Sequence, residues 1–278
     1  MELTSVLLKL RRELIINPLQ EDSRSSKDKI LGIESSVIFE EVIGGGQADF
    51  NKPWKSISAY EKVLLYAYYN QKGHIEEMLE AFSMLFKGSQ INNPIVLDLG
   101  CGPYTAGLAL SEVLGNTTQF SYIGFDRSVE MHNLGESLAK RLSDLQGTNS
   151  NCQSRQWVSN LSDVSWSDAP GWRPVIVVVS YLLASPSLEP ESLIQDIDRL
   201  LKIFGMGNTV ILYTHAINHY ANRNFPTFKN ALEKNGFEMI ANENGFIKID
   251  RSGKKRNRDV RYALFKKNSV DTLLLRKP

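Results

Sequence analysis

The spacing of apolar residues along the chain changes near residue 90. Before that point, apolar side chains recur every three or four residues, first over 3–14 and again over 63–86. This spacing is typical of amphipathic helices. Asn17-Pro18 is expected to end the first helical segment, and the second is either one long helix or two that break near Gly73. The pattern predicts an N-terminal helical region over residues 1–90.

After residue 90, short apolar runs alternate with helical stretches. The run 175–179 is β-branched throughout, which suits a central strand buried on both faces. Strands are predicted over 95–99, 122–126, 156–160, 175–179, 209–213, 237–249 and 261–266. The last two enclose a polar loop, 251–258. The alternation predicts an α/β fold, a seven-stranded doubly wound sheet with helices on both faces and a C-terminal β-hairpin. This domain is expected to cover residues 91–268, and residues 269–278 to form a tail.

Composition limits the classes of function. Hydrophobic residues make up 42% of the chain and charged residues 23%, which is enough to build a sizeable core. No apolar run reaches the roughly 20 residues that span a bilayer, and the first residues lack the plan of a signal peptide. A cytoplasmic location without membrane contact is therefore expected. The two cysteines, Cys101 and Cys152, are too few for a disulfide framework or a thiolate zinc cluster, so no metal site is predicted.

Charge is unevenly distributed along the chain. Residues 223–278 hold 14 Lys and Arg against 6 Asp and Glu, a local charge of +8. The other 222 residues hold 18 basic and 25 acidic groups, a charge of −7. This asymmetry favours an anionic partner for the C-terminal part, and RNA is the candidate. The predicted contacts are Lys254, Lys255, Arg256 and Arg258. The alternative is a solvated basic hairpin with no partner.

Two glycines follow the first predicted strand, in the sequence Asp98-Leu99-Gly100-Cys101-Gly102-Pro103. Ligands of doubly wound sheets bind beyond the carboxyl ends of the strands, and glycine allows the backbone to approach a ligand closely. Asp126 ends the second predicted strand, 24 residues after Gly102. A carboxylate in that position can accept hydrogen bonds from both hydroxyls of a ribose. The glycines and this acid together predict a ligand that contains adenosine.

A nicotinamide dinucleotide is the rival ligand. Its fingerprint has a third glycine for close packing of helix on strand, and Thr105 stands in that place here. Pro103 also interrupts the loop. Asp98 lies just before the first glycine, where it would repel a pyrophosphate and attract a cation. The charge argument favours S-adenosylmethionine, which carries an ammonium and a sulfonium group.

The segment from Asp98 to Pro103, with Asp126 after the next strand, resembles the cofactor-binding signature of class I S-adenosylmethionine-dependent methyltransferases. The similarity covers about residues 90–268, including the predicted hairpin. It implies S-adenosylmethionine as cofactor and transfer of a methyl group to an oxygen or nitrogen acceptor. Asp98 and the glycine backbone would hold the methionine end, and Asp126 the ribose. The cofactor-binding residues that the resemblance implies are Asp98, Gly100, Cys101, Gly102, Pro103, Asp126, Arg127, Ser128, Met131, Asn160, Leu161 and Ser180.

The segment after the fourth strand is expected to flank the methyl group. It begins Ser180-Tyr181-Leu182 and departs from the Asn/Asp-Pro-Pro-Tyr/Phe tetrapeptide that similar amino-methylating enzymes carry, which argues against exocyclic-amine methylation of that kind. Methyl transfer depends mainly on proximity and alignment, so the sequence need not contain a catalytic dyad. Tyr181 could orient an acceptor, and His215 or His219 could serve as a base. Simple packing is the alternative for each.

The acceptor is the least determined part of the sequence-based interpretation. By analogy with the family, residues 1–90 would cover the cofactor and shape the acceptor pocket. The basic C-terminal residues favour RNA or a ribosome-linked acceptor. A small-molecule acceptor is the first alternative. The second is a domain that binds S-adenosylmethionine without turnover, as a sensor or a partner subunit.

Overall fold

The computed structural model describes residues 2–87, 91–147, 150–166, 171–205, 207–217, 223–251 and 254–268, without the side chains of 246–251 and 254–256. His219 and the predicted tail, 269–278, lie outside the described residues.

A seven-stranded mixed sheet forms the centre of the molecule, which confirms the predicted α/β fold. Its strands are β1 (Ile95–Leu99), β2 (Phe120–Phe125), β3 (Cys152–Val158), β4 (Val175–Ser180), β5 (Thr209–Ala216), β6 (Glu238–Arg251) and β7 (Lys254–Lys267). The order across the sheet is β3-β2-β1-β4-β5-β7-β6. The first five strands are parallel, and β7 is antiparallel to both β5 and β6. Strand order reverses between β1 and β4, so a ligand crevice is expected at their carboxyl ends.

Helices cover both faces of the sheet. On one face lie the N-terminal helices together with α4 (Thr105–Leu114) and α5 (Val129–Gln146), around buried side chains such as Val96 and Ile176. On the other face α6 (Pro190–Phe204) and α7 (Phe225–Lys234) pack on the alternate side chains of the same strands. This alternation follows from the two-residue period of a strand, which turns successive side chains to opposite faces.

The first N-terminal helix extends further than the sequence predicts. It comprises α1 (Ser5–Arg11), a π-helical turn (Arg12–Ile16) and a last helical turn (Asn17–Gln20). The expectation that Asn17-Pro18 ends the helix is wrong. Pro18 is the second residue of the last segment, which follows directly on the π-helical turn.

The second N-terminal helix begins at Ser58, whose hydroxyl and the Glu61 carboxylate form a capping box. It comprises α2 (Ala59–Tyr66), a π-helical turn (Ala67–Gln71) and α3 (Lys72–Phe86). No break occurs at Gly73, because the irregularity lies one turn earlier.

The N-terminal helices share the hydrophobic core of the sheet. Leu7, Ile75 and Phe82 are fully buried in the same cluster as Val96 on β1. Helix α3 packs against α4, β5 and β6. This packing places the carboxyl end of the sheet beneath residues from the first third of the chain. No helix in the described part of the chain has the length and apolar character needed to cross a membrane.

The strand boundaries differ most from the predictions in the C-terminal hairpin and at the start of β3. The predicted polar loop 251–258 is wrong, because β6 and β7 continue through it in register until Arg251 pairs with Lys254. Hydrogen bonds between the two backbones hold this two-stranded ribbon together. Its side chains therefore need not be apolar, and its sequence shows no apolar pattern. Strand β3 begins at Cys152 rather than at Gln156, since an edge strand with exposed side chains also lacks an apolar pattern.

Candidate functional site

The turn after β1 requires glycine at two positions. Gly100 has a φ of +71° and Gly102 a φ of +51°, in the left-handed region that favours glycine. The backbone N–H groups of Gly100 and Cys101 both donate to the carbonyl oxygen of Phe125, over 2.8 and 2.9 Å. A Cβ atom on Gly100 would lie 3.1 Å from Cδ1 of Leu182, so the turn is also tightly packed.

The carboxylate of Asp126 lies at this turn, half-buried. Its Oδ2 accepts from the backbone N–H of Gly102 over 3.0 Å, and its Oδ1 accepts from the N–H of Ser128 over 2.9 Å. Burial raises the pKa of this carboxyl, while the two N–H donors oppose the rise. Each carboxylate oxygen can accept more than one hydrogen bond, so the group retains capacity for ribose hydroxyls.

Asp98 is deeply buried beside the same turn, and the hydroxyl of Tyr122 donates to its Oδ2 over 2.6 Å. Burial raises the pKa of Asp98 to about 7, and the nearby charge of Asp126 adds to the rise. The space next to it has a volume of about 20 Å³ and is closed by Tyr66, His74 and Tyr181. That volume holds about one water molecule. A cation at this point would lower the pKa of Asp98 again, since an opposite charge favours the ionised form.

The other predicted cofactor residues lie in different environments. Cys101 and Met131 have side chains buried in the core, and Leu161 is buried on the opposite face of the sheet. Ser128 caps α5, whereas Arg127 and Asn160 are exposed. The carbonyl oxygen of Pro103 accepts from Gln71 Nε2 over 2.8 Å, and the hydroxyls of Ser180 and Thr214 lie 3.0 Å apart. The structure brings together Asp98, Gly100, Gly102, Asp126 and Ser180 at one edge of the sheet.

Asn51 connects the N-terminal region to the loop after β2, and sequence reasoning missed it. Its side-chain Nδ2 donates to the carbonyl oxygen of Arg127 over 3.0 Å, and its Oδ1 accepts from the N–H of Val129 over 3.2 Å. The contact joins residues 76 positions apart in the chain. A single asparagine in a polar loop gives no signal for such a contact.

A larger cavity, of about 360 Å³, lies beyond the ends of β4 and β5. The 3₁₀ turn Gly44–Gly46 and Tyr66 contribute one side of its lining, and the segment after β4 contributes another. Gly46 has a φ of +101°, and a Cβ atom there would lie 3.2 Å from Nδ2 of Asn70. The glycine turn therefore brings bare backbone close to the cavity.

Tyr181 stands at the wall of this cavity with a φ of +59°. Its ring is stacked on His74, with centroids 4.0 Å apart, and lies at a tilt to His215, with centroids 4.4 Å apart. Its hydroxyl donates to Oε2 of Glu77 over 2.7 Å and accepts from Nη1 of Arg258 over 3.2 Å. The two predicted catalytic residues thus meet at one cavity.

Arg258 lies elsewhere than the sequence predicts. The sequence predicts it in an exposed loop that binds RNA, but it is half-buried on β7 and lines the cavity. The reason is the length of the hairpin, whose β7 strand carries Arg258 back over the end of β5. The side chains of Lys254, Lys255 and Arg256 lie outside the described residues.

His215 is buried, and its protonation state follows from its contacts. Its Nδ1 lies 3.2 Å from the carbonyl oxygen of Ala216, which can only accept a hydrogen bond. Nδ1 therefore carries the proton of the neutral ring, and Nε2 carries a lone pair. Nε2 has no hydrogen-bond partner among the described residues. Burial lowers the pKa of His215 to about 4, with the charge of Arg258 adding to this, so the ring is neutral at pH 7.

Glu77, behind Tyr181, is fully buried. Burial raises its pKa to about 7 in spite of the hydrogen bond from Tyr181 and the nearby charge of Arg258. Sequence reasoning missed this residue, although a signal was present. The helical run 74–79 contains three apolar residues together with two acids and a histidine, and an acid on a buried helix face requires a partner.

No family model and no curated protein matches the chain by sequence. Its fold is similar to that of the precorrin-6y C5,15-methyltransferase of Geobacter metallireducens, with 13% identity, a TM-score of 0.46 and coverage of 71% of this chain and 89% of that chain. It is also similar to an arsenic(III) S-adenosylmethionine methyltransferase of Chlamydomonas reinhardtii (15% identity, TM-score 0.42, 72% and 74% coverage). A third similar structure is an S-adenosylmethionine-dependent O-methyltransferase of Thermotoga maritima (11% identity, TM-score 0.41, 70% and 66% coverage).

The seven strands and the C-terminal antiparallel hairpin agree with what the sequence resemblance implies. The described part of the chain thus has the architecture of a seven-stranded, doubly wound α/β sheet that ends in an antiparallel hairpin.

Proposed function

We propose that this protein is an S-adenosylmethionine-dependent methyltransferase that binds its cofactor at the carboxyl ends of β1 and β2. The observation that carries the proposal is the pair of carboxylates around the glycine turn. Asp126 is fixed by two backbone N–H groups with acceptor capacity left, and Asp98 is buried beside a small cavity, where it accepts a hydrogen bond from Tyr122. This arrangement suits a ribose at one end and a positive charge at the other.

The residues fit the two ends of the cofactor differently. At the nucleoside end, Asp126 is half-buried and its carboxylate has capacity for the ribose hydroxyls. At the methionine end, the space beside Asp98 holds about one water molecule, which is less than an amino acid occupies. Binding therefore requires Tyr66, His74 or Tyr181, which close this space, to move. When bound, the cofactor supplies a methyl group on a positively charged sulfur.

The residues of the chain would contribute positioning and proton transfer. Asp98 would stabilise the positive charge next to the acceptor cavity, and the stacked rings of His74 and Tyr181 would exclude water from it. An acceptor hydroxyl in the cavity would release its proton to Nε2 of His215, which is neutral and carries a lone pair. Because burial and the charge of Arg258 hold the pKa of His215 at about 4, the ring would pass this proton on to water as the methyl group moves from sulfur to oxygen.

The acceptor would occupy the cavity of about 360 Å³, because this space lies next to the methionine end of the cofactor site. RNA remains a second candidate acceptor, favoured by the local charge of +8 over residues 223–278. The small volume beside Asp98 favours a third possibility, a domain that binds the cofactor or its demethylated product without turnover.

Incubation with methyl-labelled S-adenosylmethionine and fractions of a cell extract separates these candidates. Label in small molecules supports a metabolite acceptor, and label in RNA supports the second candidate. Saturable cofactor binding without transfer to any fraction supports the third. Asp126→Ala should abolish transfer, whereas Asp196→Ala, an exposed acid on α6 paired with Arg199, should leave it unchanged. Equal loss in both variants would contradict the assignment of Asp126 to the ribose.

A further inference from the structure

The lining of the larger cavity carries basic groups and no acid among the described residues. Arg258 and Arg223 both line it. Nη1 of Arg258 donates to the hydroxyl of Tyr181, and Nη2 of Arg223 donates to the carbonyl oxygen of Ala184 over 2.8 Å. A guanidinium has five N–H donors, so each group can bind a further acceptor. The electrostatic character of the cavity therefore favours an anion.

Glu77 does not cancel this character. It lies behind the ring of Tyr181 and does not line the cavity, and its carboxylate accepts from the Tyr181 hydroxyl. Burial holds its pKa near neutrality, so part of its population is uncharged at pH 7. Its structural effect is to orient Tyr181, which in turn contacts Arg258. The guanidinium is thus positioned before any ligand arrives, which reduces the entropy lost on binding.

His215 adds a second specific contact. Its ring lines the same cavity, and its Nε2 carries a lone pair and has no partner among the described residues. Nε2 is buried beneath the surface of the cavity, so the ring must shift for a ligand to reach it. A buried acceptor of this kind is satisfied by an O–H or N–H group of a ligand. A hydroxyl suits it best, because an oxygen must lose its proton before it can keep a methyl group, whereas a neutral amine is already nucleophilic.

The size of the cavity argues for a small molecule. A volume of about 360 Å³ is near the lower end of the range of about 300–1,000 Å³ that small-ligand pockets occupy. Aromatic groups, among them Phe39 and Tyr66, form part of its lining. Such a space accommodates a compact body with one anionic group.

We propose that this cavity binds a small molecule that carries a carboxylate or phosphate group together with a hydroxyl, with Arg258 holding the anion and Nε2 of His215 accepting the hydroxyl proton. The proposal rests on the proposed methyltransferase function, since it names the class of acceptor for the same site. The anion contact itself needs no cofactor. It can therefore be tested separately.

The test uses four probes of one size class in calorimetric titrations of the full chain without S-adenosylmethionine. They are 4-hydroxybenzoate, benzoate, 4-hydroxybenzamide and phenyl phosphate. The charged 4-hydroxybenzoate should bind about tenfold or more tightly than the neutral amide, as a charge-assisted contact with Arg258 implies. Comparison with phenyl phosphate shows which of the two anions the site prefers. Tighter binding of the amide, or no binding of any probe, would overturn the proposal.

Variants assign the contacts. Arg258→Gln should weaken 4-hydroxybenzoate about tenfold, and Arg258→Lys should weaken it less because the charge is kept. Arg261→Gln is the matched control, since Arg261 lies on the same strand but donates to Asn242 and stacks on Phe225. His215→Gln should reduce the preference for 4-hydroxybenzoate over benzoate and leave benzoate affinity unchanged. Equal weakening by Arg258→Gln and Arg261→Gln would refute the role of Arg258.

Two further outcomes separate the alternatives. If Arg258→Gln lowers the melting temperature of the free protein, Tyr181→Phe replaces it, because this variant removes the hydroxyl that positions the guanidinium but keeps the guanidinium itself. The affinity for 4-hydroxybenzoate should then fall several-fold, and an unchanged affinity would contradict the role of Arg258. A short RNA oligonucleotide that binds in an Arg258-dependent manner and displaces 4-hydroxybenzoate would overturn the small-molecule assignment. Anion binding by a protein that fails to bind S-adenosylmethionine would refute the proposed function and leave this inference standing.

Discussion

The two halves of the carboxyl edge of the sheet differ in charge and in openness. Around β1 and β2 the site holds two acids, Asp98 and Asp126, and a space of only about 20 Å³. Beyond β4 and β5 the cavity is about 360 Å³, with two arginines and no acid among its described lining. Opposite charges thus occupy neighbouring places on one edge.

The rings of His74 and Tyr181 stand at the boundary between the two halves, since both line the two spaces. A site whose acidic and basic groups are separated in this way can attract a cationic ligand to one side and an anionic ligand to the other. Exchange of the two ligands would place like charges together, which disfavours the wrong arrangement. The difference between the halves therefore shows that charge, and not shape alone, can determine which ligand binds on which side.

Glu77 departs from this separation of charges, because it is an acid that lies behind Tyr181 on the side of the basic cavity. Its replacement should change the free energy of unfolding more than the other substitutions considered below. Its pKa is about 7 in the folded protein against an ordinary value of 4.5. The unfolded chain releases this proton first, so stability falls as pH rises from about 4.5 to 7, by up to about 3 kcal/mol. Glu77→Gln removes that loss. The variant should match the wild type at pH 4.5 and exceed it at pH 8 in urea denaturation.

The acid half of the edge, which contains Asp98 and Asp126 around β1 and β2, supplies a control for this experiment. Asp98 also has a pKa of about 7 and remains in the variant, so part of the pH dependence should persist. The exposed pair Lys229 and Glu233 provides a second control, because Glu233→Gln should shift stability little at any pH. Parallel curves for the wild type and Glu77→Gln would contradict the burial argument.

Gly100→Ala tests how tightly the acid half is packed. A positive φ costs an alanine about 1–2 kcal/mol, and the new Cβ would also press on Leu182. Gly236→Ala is the matched control, since its φ is +82° and its nearest new contact is a flexible lysine at 3.9 Å. The destabilisation should be about 2 kcal/mol at Gly100 and about 1 kcal/mol at Gly236.

Unfolding by urea measures both losses of stability. In a Leu182→Ala background, Gly100→Ala should cost only about 1 kcal/mol relative to the single variant Leu182→Ala, as at Gly236. A cost that stays at about 2 kcal/mol in that background would show that the strain at Gly100 comes from the backbone alone.

Asn51→Ala should have the smallest effect and should be confined to the acid half. The substitution removes two hydrogen bonds to the loop after β2, which are worth about 1 kcal/mol together. Affinity for S-adenosylmethionine should fall several-fold, while the binding of 4-hydroxybenzoate in the cavity should stay constant. Calorimetry with each ligand checks this. An equal loss for both ligands would show that the N-terminal region acts on the whole edge.

The acid half could be predicted from the sequence because it is local. Asp98, Gly100 and Gly102 lie within five residues, and Asp126 follows at the end of the next strand. The order of strands and helices from β1 to α7 was likewise predicted and is confirmed, since each element has its own apolar period.

The half of the edge that contains the larger cavity, beyond β4 and β5, could be predicted only in part. Tyr181 and His215 follow from their positions at strand ends, but His74, Glu77 and the glycine turn come from the N-terminal region, more than 100 residues before Tyr181. Arg258 was assigned to a loop because a long two-stranded ribbon has no apolar pattern. The sequence carries no local signal for side chains that meet through the fold alone.

Calorimetric titration with S-adenosylmethionine tests the central claim most directly, since that claim is a nucleoside site at the acidic edge. The wild type should show saturable heat, and Asp126→Asn should bind about tenfold or more weakly because it loses the charged acceptor for the ribose. Asp196→Asn, remote on α6, should bind like the wild type. No saturable heat with the wild type, or equal affinity in Asp126→Asn, would contradict the account.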